Sequence, residues 1–140
     1  MAITLGSFVL PDGLVWTDEL NWTPVVQSNA YSLTGALIVQ RATRLAGRPI
    51  TLSGQKSGDA HTAWMSRADI LSLQSLVEGL TVDAPGTLTL HDGRSFSVIA
   101  NIDGNPPLSA ELLPAAGSFI PANPDSDSLY SLTAIRLLTV

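Results

Sequence analysis

A chain of 140 residues, 45% hydrophobic and 14% charged, is long enough to bury a core without covalent staples. Twelve carboxylates against seven cations, a net charge of −5, argue against a basic nucleic-acid binder, and the absence of cysteine removes disulfides, thiol catalysis and cysteine-held zinc or iron–sulfur clusters. Disordered chains show the opposite bias, low hydrophobicity with high charge. The charged fraction falls well below the roughly 25% of soluble domains, which implies that part of the surface meets neighbours rather than water.

The N-terminal Met-Ala-Ile-Thr-Leu-Gly has no basic region, so a cleaved signal peptide is not expected. Phe8-Val9-Leu10 and Leu14-Val15-Trp16 flank Pro11-Asp12-Gly13. Proline presets the first turn position and glycine accepts φ > 0 at the last, which predicts a β-hairpin over the first 17 residues. In that register Leu10 faces Leu14 and Phe8 faces Trp16.

The longest uncharged stretch, residues 20–40, contains Asn21, Pro24, Gln27, Ser28, Asn29 and Ser32, too polar for a membrane span. Its first part, around Asn21-Trp22-Thr23-Pro24, lacks alternation and reads as irregular. Trp22 is therefore a candidate interface anchor, since tryptophan is enriched at binding hot spots; core packing is the competing role, as for Trp16 and Trp64. Tyr31 lies in the same charge-poor stretch. Strands are predicted at 32–41 and 48–54. Arg41, Arg44 and Arg48 place three of the seven cations within eight positions. They suit an acidic partner surface or a phosphate, or else a solvated edge whose charge discourages wrong pairing. No aromatic residues interleave with them, which weakens a nucleic-acid role. Residues 45–50 read as a turn entering a strand, without a Walker pattern, and Gln55-Lys56-Ser57-Gly58-Asp59 reads as a loop.

The strongest local signal is a helix at about residues 66–78. Ser66 can cap it with Asp69 as the capping-box acid, and Met65 with Ile70 fits a hydrophobic staple. Ile70, Leu73 and Val77 follow helical spacing, and Gly79 ends the run. A hairpin follows at 87–98. A two-residue Asp92-Gly93 turn would put its apolar faces on opposite sides. A three-residue loop, His91-Asp92-Gly93, pairs Leu90 with Arg94 and Leu88 with Phe96, gathering Leu88, Leu90, Phe96 and Val98 on one face. That register requires Gly93 at positive φ. Further strands are expected at 107–113 and 129–140, with loops at 103–107 and 121–128. There is no internal repeat and no linker. The predicted class is β-rich α+β in one domain, 1–140: a twisted antiparallel β-sandwich or incomplete barrel with one covering helix.

Catalytic chemistry is thinly represented. Asp59/His61 and His91/Asp92 are possible acid–base pairs, but both fall in predicted loops, and no Gly-x-Ser-x-Gly elbow is present. Exposed loop histidines are the simpler reading. Asp125 and Asp127 lack the remaining ligands of a calcium loop and read as a surface turn. No catalytic, cofactor-binding or metal residue is assigned, no cofactor is expected, and the chain is not expected to be an enzyme.

The order of Val15-Trp16-Thr17-Asp18-Glu19, Ser32-Leu33-Thr34-Gly35-Ala36-Leu37, Ala46-Gly47-Arg48-Pro49-Ile50-Thr51-Leu52, a short helix and a hairpin tipped by His91-Asp92-Gly93-Arg94 resembles small tail-tip and baseplate proteins of contractile-tailed bacteriophages. It is also similar to the N-terminal domain of distal tail proteins, where a Gly-Arg-x-Ile strand precedes a helix and a hairpin. The resemblance implies a structural virion subunit, assembled in the host cytoplasm. Its implied partners are tail proteins of the tube, distal-tail or hub type, in a ring, with no membrane and no specific nucleic acid. A carbohydrate-binding β-sandwich module is the alternative.

Overall fold

The computed structural model describes residues 2–57, 60–103, 105–114, 120 and 122–140. Its strands in chain order are β1 (Thr4–Leu5), β2 (Phe8–Val9), β3 (Val15–Trp16), β4 (Val25–Tyr31), β5 (Leu37–Thr43), β6 (Pro49–Ser53), β7 (Lys56–Ser57), β8 (Ala60–His61) and β9 (Trp64–Ser66). Helix α1 (Arg67–Glu78) follows, then β10 (Gly86–Thr89), β11 (Ser95–Ala100), β12 (Leu108–Leu112) and β13 (Leu129–Thr139). The protein is thus β-rich α+β, with antiparallel strand pairs throughout and one helix among the described residues.

Nine strands form one sheet along the path β2-β1-β10-β11-β13-β6-β3, with β12 and β9 also paired to β13. The long terminal strand therefore organises the sheet. Its pairing with β12 slips between Ser109 and Ala110, leaving Thr133 unmatched opposite them. This bulge shifts the in-out alternation by one residue, which lets Leu132, Ile135 and Leu137 all enter the core. Helix α1 packs against β9, β11, β12 and β13 and buries Ile70, Leu73 and Val77. Its start matches the sequence pattern, because the Ser66 hydroxyl accepts from the Asp69 N–H.

The β10–β11 hairpin also follows its sequence. Leu88 pairs with Phe96, the Leu90 N–H donates to the Arg94 carbonyl, and Gly93 has φ 91°. The burial of Leu88, Leu90 and Val98 decides the register: a one-residue slip would turn all of them to solvent.

Three expectations are corrected. Phe8-Val9 does not pair with Val15-Trp16. Gly6, at φ 60°, and Ser7 make a tighter two-residue turn, so β2 folds back on β1 with Leu5 opposite Phe8 and β3 pairs with β6, Trp16 opposite Leu52. Glycine at the first of two central positions matches the strand twist better than a proline-led loop. Second, no strand runs over 32–41. Residues 32–36 form a turn and β5 starts at Leu37, pairing with β4, in a segment that lacked an expected strand. Third, the 55–59 loop contains a ladder, Lys56 opposite His61. His61 is thus a half-buried strand residue rather than an exposed loop histidine, while Asp59 lies outside the described residues.

The ends of the sheet path come close. Only residues 10–14 join β2 to β3, which sit at its opposite ends. Trp16 on β3 meets Phe96 on β11 edge-to-face at 5.7 Å, although β6 and β13 lie between those strands along the ladder.

Candidate interaction surface

Strands β4 and β5 form their own two-stranded sheet. Seven pairs, from Val25 opposite Thr43 to Tyr31 opposite Leu37, make an arm about 24 Å long at ordinary strand rise. Apart from the half-buried Val25, every residue of both strands is exposed. The tip repeats the geometry of the β10–β11 turn. The Ser32 N–H donates to the Ala36 carbonyl, the Gly35 N–H donates to the Ser32 carbonyl, and Gly35 has φ 84°. A three-residue loop closed by a left-handed glycine fits both sites for the same reason. The Ser32 hydroxyl accepts from the Ala36 N–H and pairs with the Thr34 hydroxyl, stiffening the tip.

Pairing assigns the two faces of the arm. Val26, Ser28, Ala30, Ile38, Gln40 and Ala42 share one, which carries no charge. Tyr31, Leu37, Val39 and Arg41 lie on the other, with Gln27 and Asn29 between them. Tyr31 is 77% exposed, Leu33 at the tip is wholly exposed, and Leu37, Ile38 and Val39 are each about half exposed. An isolated two-stranded hairpin is marginal in water, and contiguous exposed apolar area marks a contact surface. Neither strand face is covered, so tertiary burial does not account for the arm.

The root is built differently. Arg48 Cζ stands 4.6 Å from the Trp16 ring centroid and 5.7 Å from that of Trp22, while Arg48 Nη2 donates to the Glu19 carbonyl at 2.8 Å. Arg94 stands 5.4 Å from the Trp16 centroid and donates to the Glu19 carboxylate at 2.6 Å. Among the described residues, buried Trp16 Nε1 and Arg48 Nε have no hydrogen-bond partner, and the guanidinium stacks on the ring instead. Asp18 accepts from the Thr51 N–H and hydroxyl, tying the same segment to β6. The chain entering the arm is clamped while the arm itself is bare.

The five sequence candidates therefore divide. Tyr31, Arg41 and Arg44 are exposed on the arm or its exit. Trp22 and Arg48 are half-buried and engage each other at the root. Trp64, given a core default with the other tryptophans, is 59% exposed. No periodicity flagged it, because it precedes the helix cap in a short strand. Sequence reading also missed β4, whose polar Gln27, Ser28 and Asn29 hide the strand pattern. The usable signal was Thr34-Gly35 between two β-branched runs.

The other candidates show no converged chemistry. His91 is exposed in its turn, and Asp92 is bound to Arg94 through the Arg94 N–H and, at 2.6 Å, through Nε. The Arg94 backbone N–H and guanidinium hold the Asp92 carboxyl below the usual range, while the Glu19 and Asp92 carboxylates push Arg94 up. Asp125 accepts from the Asp127 N–H and the Ser128 hydroxyl, the turn expected from the sequence. Among the described residues no three His, Asp or Glu side chains gather in a metal-binding group, and no helix is long and apolar enough to cross a membrane.

No family model, no curated protein and no solved structure matches the chain.

Proposed function

We propose that the protein is a structural subunit of a bacteriophage tail tip or baseplate, joining tail tube and hub through protein–protein contacts without catalysing a reaction. The observation that carries the reading is the β4–β5 arm: a stiff-tipped, uncovered hairpin bearing apolar side chains and Arg41, with Arg44 at its exit, but no carboxylate. Such an arm adds strands or faces to neighbouring sheets. It also locates the charge deficit, since 20–40 is the longest uncharged stretch and supplies most of the arm. The sheet is read as an incomplete barrel, supported by the five-residue link between its end strands and by the Trp16–Phe96 contact across two intervening strands. A curled body with one projecting arm suits a ring subunit that meets lateral and axial neighbours.

The carbohydrate-binding alternative needs aromatic residues arrayed on one face. The two exposed aromatics among the described residues, Tyr31 and Trp64, stand on different sheets, so no observation favours it. The test is co-assembly with tube, distal-tail and hub proteins encoded beside this gene, followed by electron microscopy. Incorporation that is lost when residues 25–43 are replaced by a short Gly-Ser turn supports the reading. Failure to bind any of them, or incorporation indifferent to the arm, overturns it.

A further inference from the structure

We infer that the arm docks on a second copy of this chain, its Tyr31–Leu37–Val39–Arg41 face entering the groove that Asp12 and Trp64 line on the neighbour. The inference rests on the assembly reading and names the partner of the same arm.

The first argument is charge. Residues 23–44 hold Arg41 and Arg44 and no carboxylate, whereas all twelve carboxylates and the remaining five cations belong to the rest of the chain. The arm is a cationic projection on an acidic body, so another copy of that body offers the complementary field. Neither Arg41 nor Arg44 has an ion-pair partner among the described residues.

Shape and chemistry locate the receiving site. An open groove of about 520 Å³ lies between residues 11–13 and 61–64, lined by Asp12, His61 and Trp64 among others. Trp64 is the exposed aromatic of the body among the described residues, and an exposed tryptophan asks for an occupant in a way that a lone exposed leucine does not. Asp12 is exposed and makes no ion pair among the described residues. The nearby Lys56 is engaged 3.6 Å from Glu111, so it does not cancel Asp12. The groove thus offers an aromatic plane and a carboxylate. The arm brings an aromatic ring, aliphatic side chains and an arginine that can stack on the first or pair with the second.

No arm residue lines the groove on its own chain, so the contact is between copies. It is also heterologous: arm and groove are different surfaces, and each copy keeps one of each unused until a ring closes or a filament grows.

The test is a complementation by sedimentation velocity, with circular dichroism confirming that each variant folds. Arg41→Glu with Arg44→Glu disables the arm and leaves the groove. Trp64→Ala with Asp12→Lys disables the groove and leaves the arm. All four positions are exposed, so the body fold survives. Wild type is expected to form oligomers larger than dimers at high concentration and low salt. Each variant alone is expected to be monomeric, and an equimolar mixture to stop at heterodimers, because it contains one intact arm and one intact groove per pair. Oligomers unaffected by either variant, or a mixture that stays monomeric, overturn the inference. Wild type that is monomeric at every concentration, yet enters tail assemblies through the arm, overturns the second-copy partner and leaves the assembly reading standing.

Discussion

Arg48 lies with its guanidinium 4.6 Å above the Trp16 ring while one of its nitrogens holds the Glu19 carbonyl. One residue thereby fixes both the end of β3 and the segment that leads into the arm. Lysine cannot reproduce this, lacking the planar fork that stacks and donates together. Arg48→Lys is expected to cost about 1 kcal/mol in denaturant unfolding and to speed amide exchange through residues 19–25. Unchanged exchange there would show that the root does not depend on the stack.

Gly93 sits at φ 91° with no atom near where a Cβ would stand. The penalty for replacing it is therefore conformational rather than steric. Gly93→Ala is expected to destabilise by roughly 1–2 kcal/mol, and Gly93→Asn by visibly less, since asparagine tolerates the left-handed region. Equal losses for the two, measured by thermal melts, would contradict the turn assignment.

The helix offers two comparable measurements. Ser66→Ala removes the acceptor for the Asp69 N–H and is expected to cost about 1 kcal/mol. Leu73, fully buried on the inner face of α1, is expected to cost about 2–5 kcal/mol as alanine. A Leu73→Ala change within a few tenths of wild type would mean the helix does not seal the core.

Asp92 gives a pH signature. Its carboxyl titrates below the ordinary 3.8 because the Arg94 N–H and guanidinium favour the charged form. A depressed folded value means that the contribution is present above the unfolded value and lost as pH falls through the lower folded one. Nuclear magnetic resonance titration is expected to place the Asp92 midpoint below 3.8, and Arg94→Gln to raise it. A midpoint at or above 3.8 in the wild-type chain would contradict the pairing.

The elements legible in the sequence are those where one short-range signal is enforced by burial. Ser66, Asp69 and the Ile70-Leu73-Val77 stripe specify a helix, and the alternation around His91-Asp92-Gly93 specifies a register. Legibility failed where two local signals competed or where neither face is buried. Pro11-Asp12-Gly13 is the more conspicuous turn signal, but the Gly6-Ser7 turn pairs Phe8 with Leu5 and leaves Trp16 to pair with Leu52. In β4 and β5 both faces are wet, so alternation carries no information, and residues 32–41 read as one strand through a turn. Of the candidate surface, Tyr31, Arg41 and Arg44 were visible as charge-poor and cationic sequence. That Arg48 and Trp22 grip each other, and that Trp64 is left bare, follow from tertiary packing that no local pattern encodes.

The central claim is that the arm gains its partner only on assembly, and hydrogen exchange tests it most directly. In the isolated chain the amides of β4 and β5 are expected to exchange far faster than those of β13. In the assembled particle they are expected to become protected while those of β13 change little. Arm amides that exchange at the same rate in both states would contradict the account.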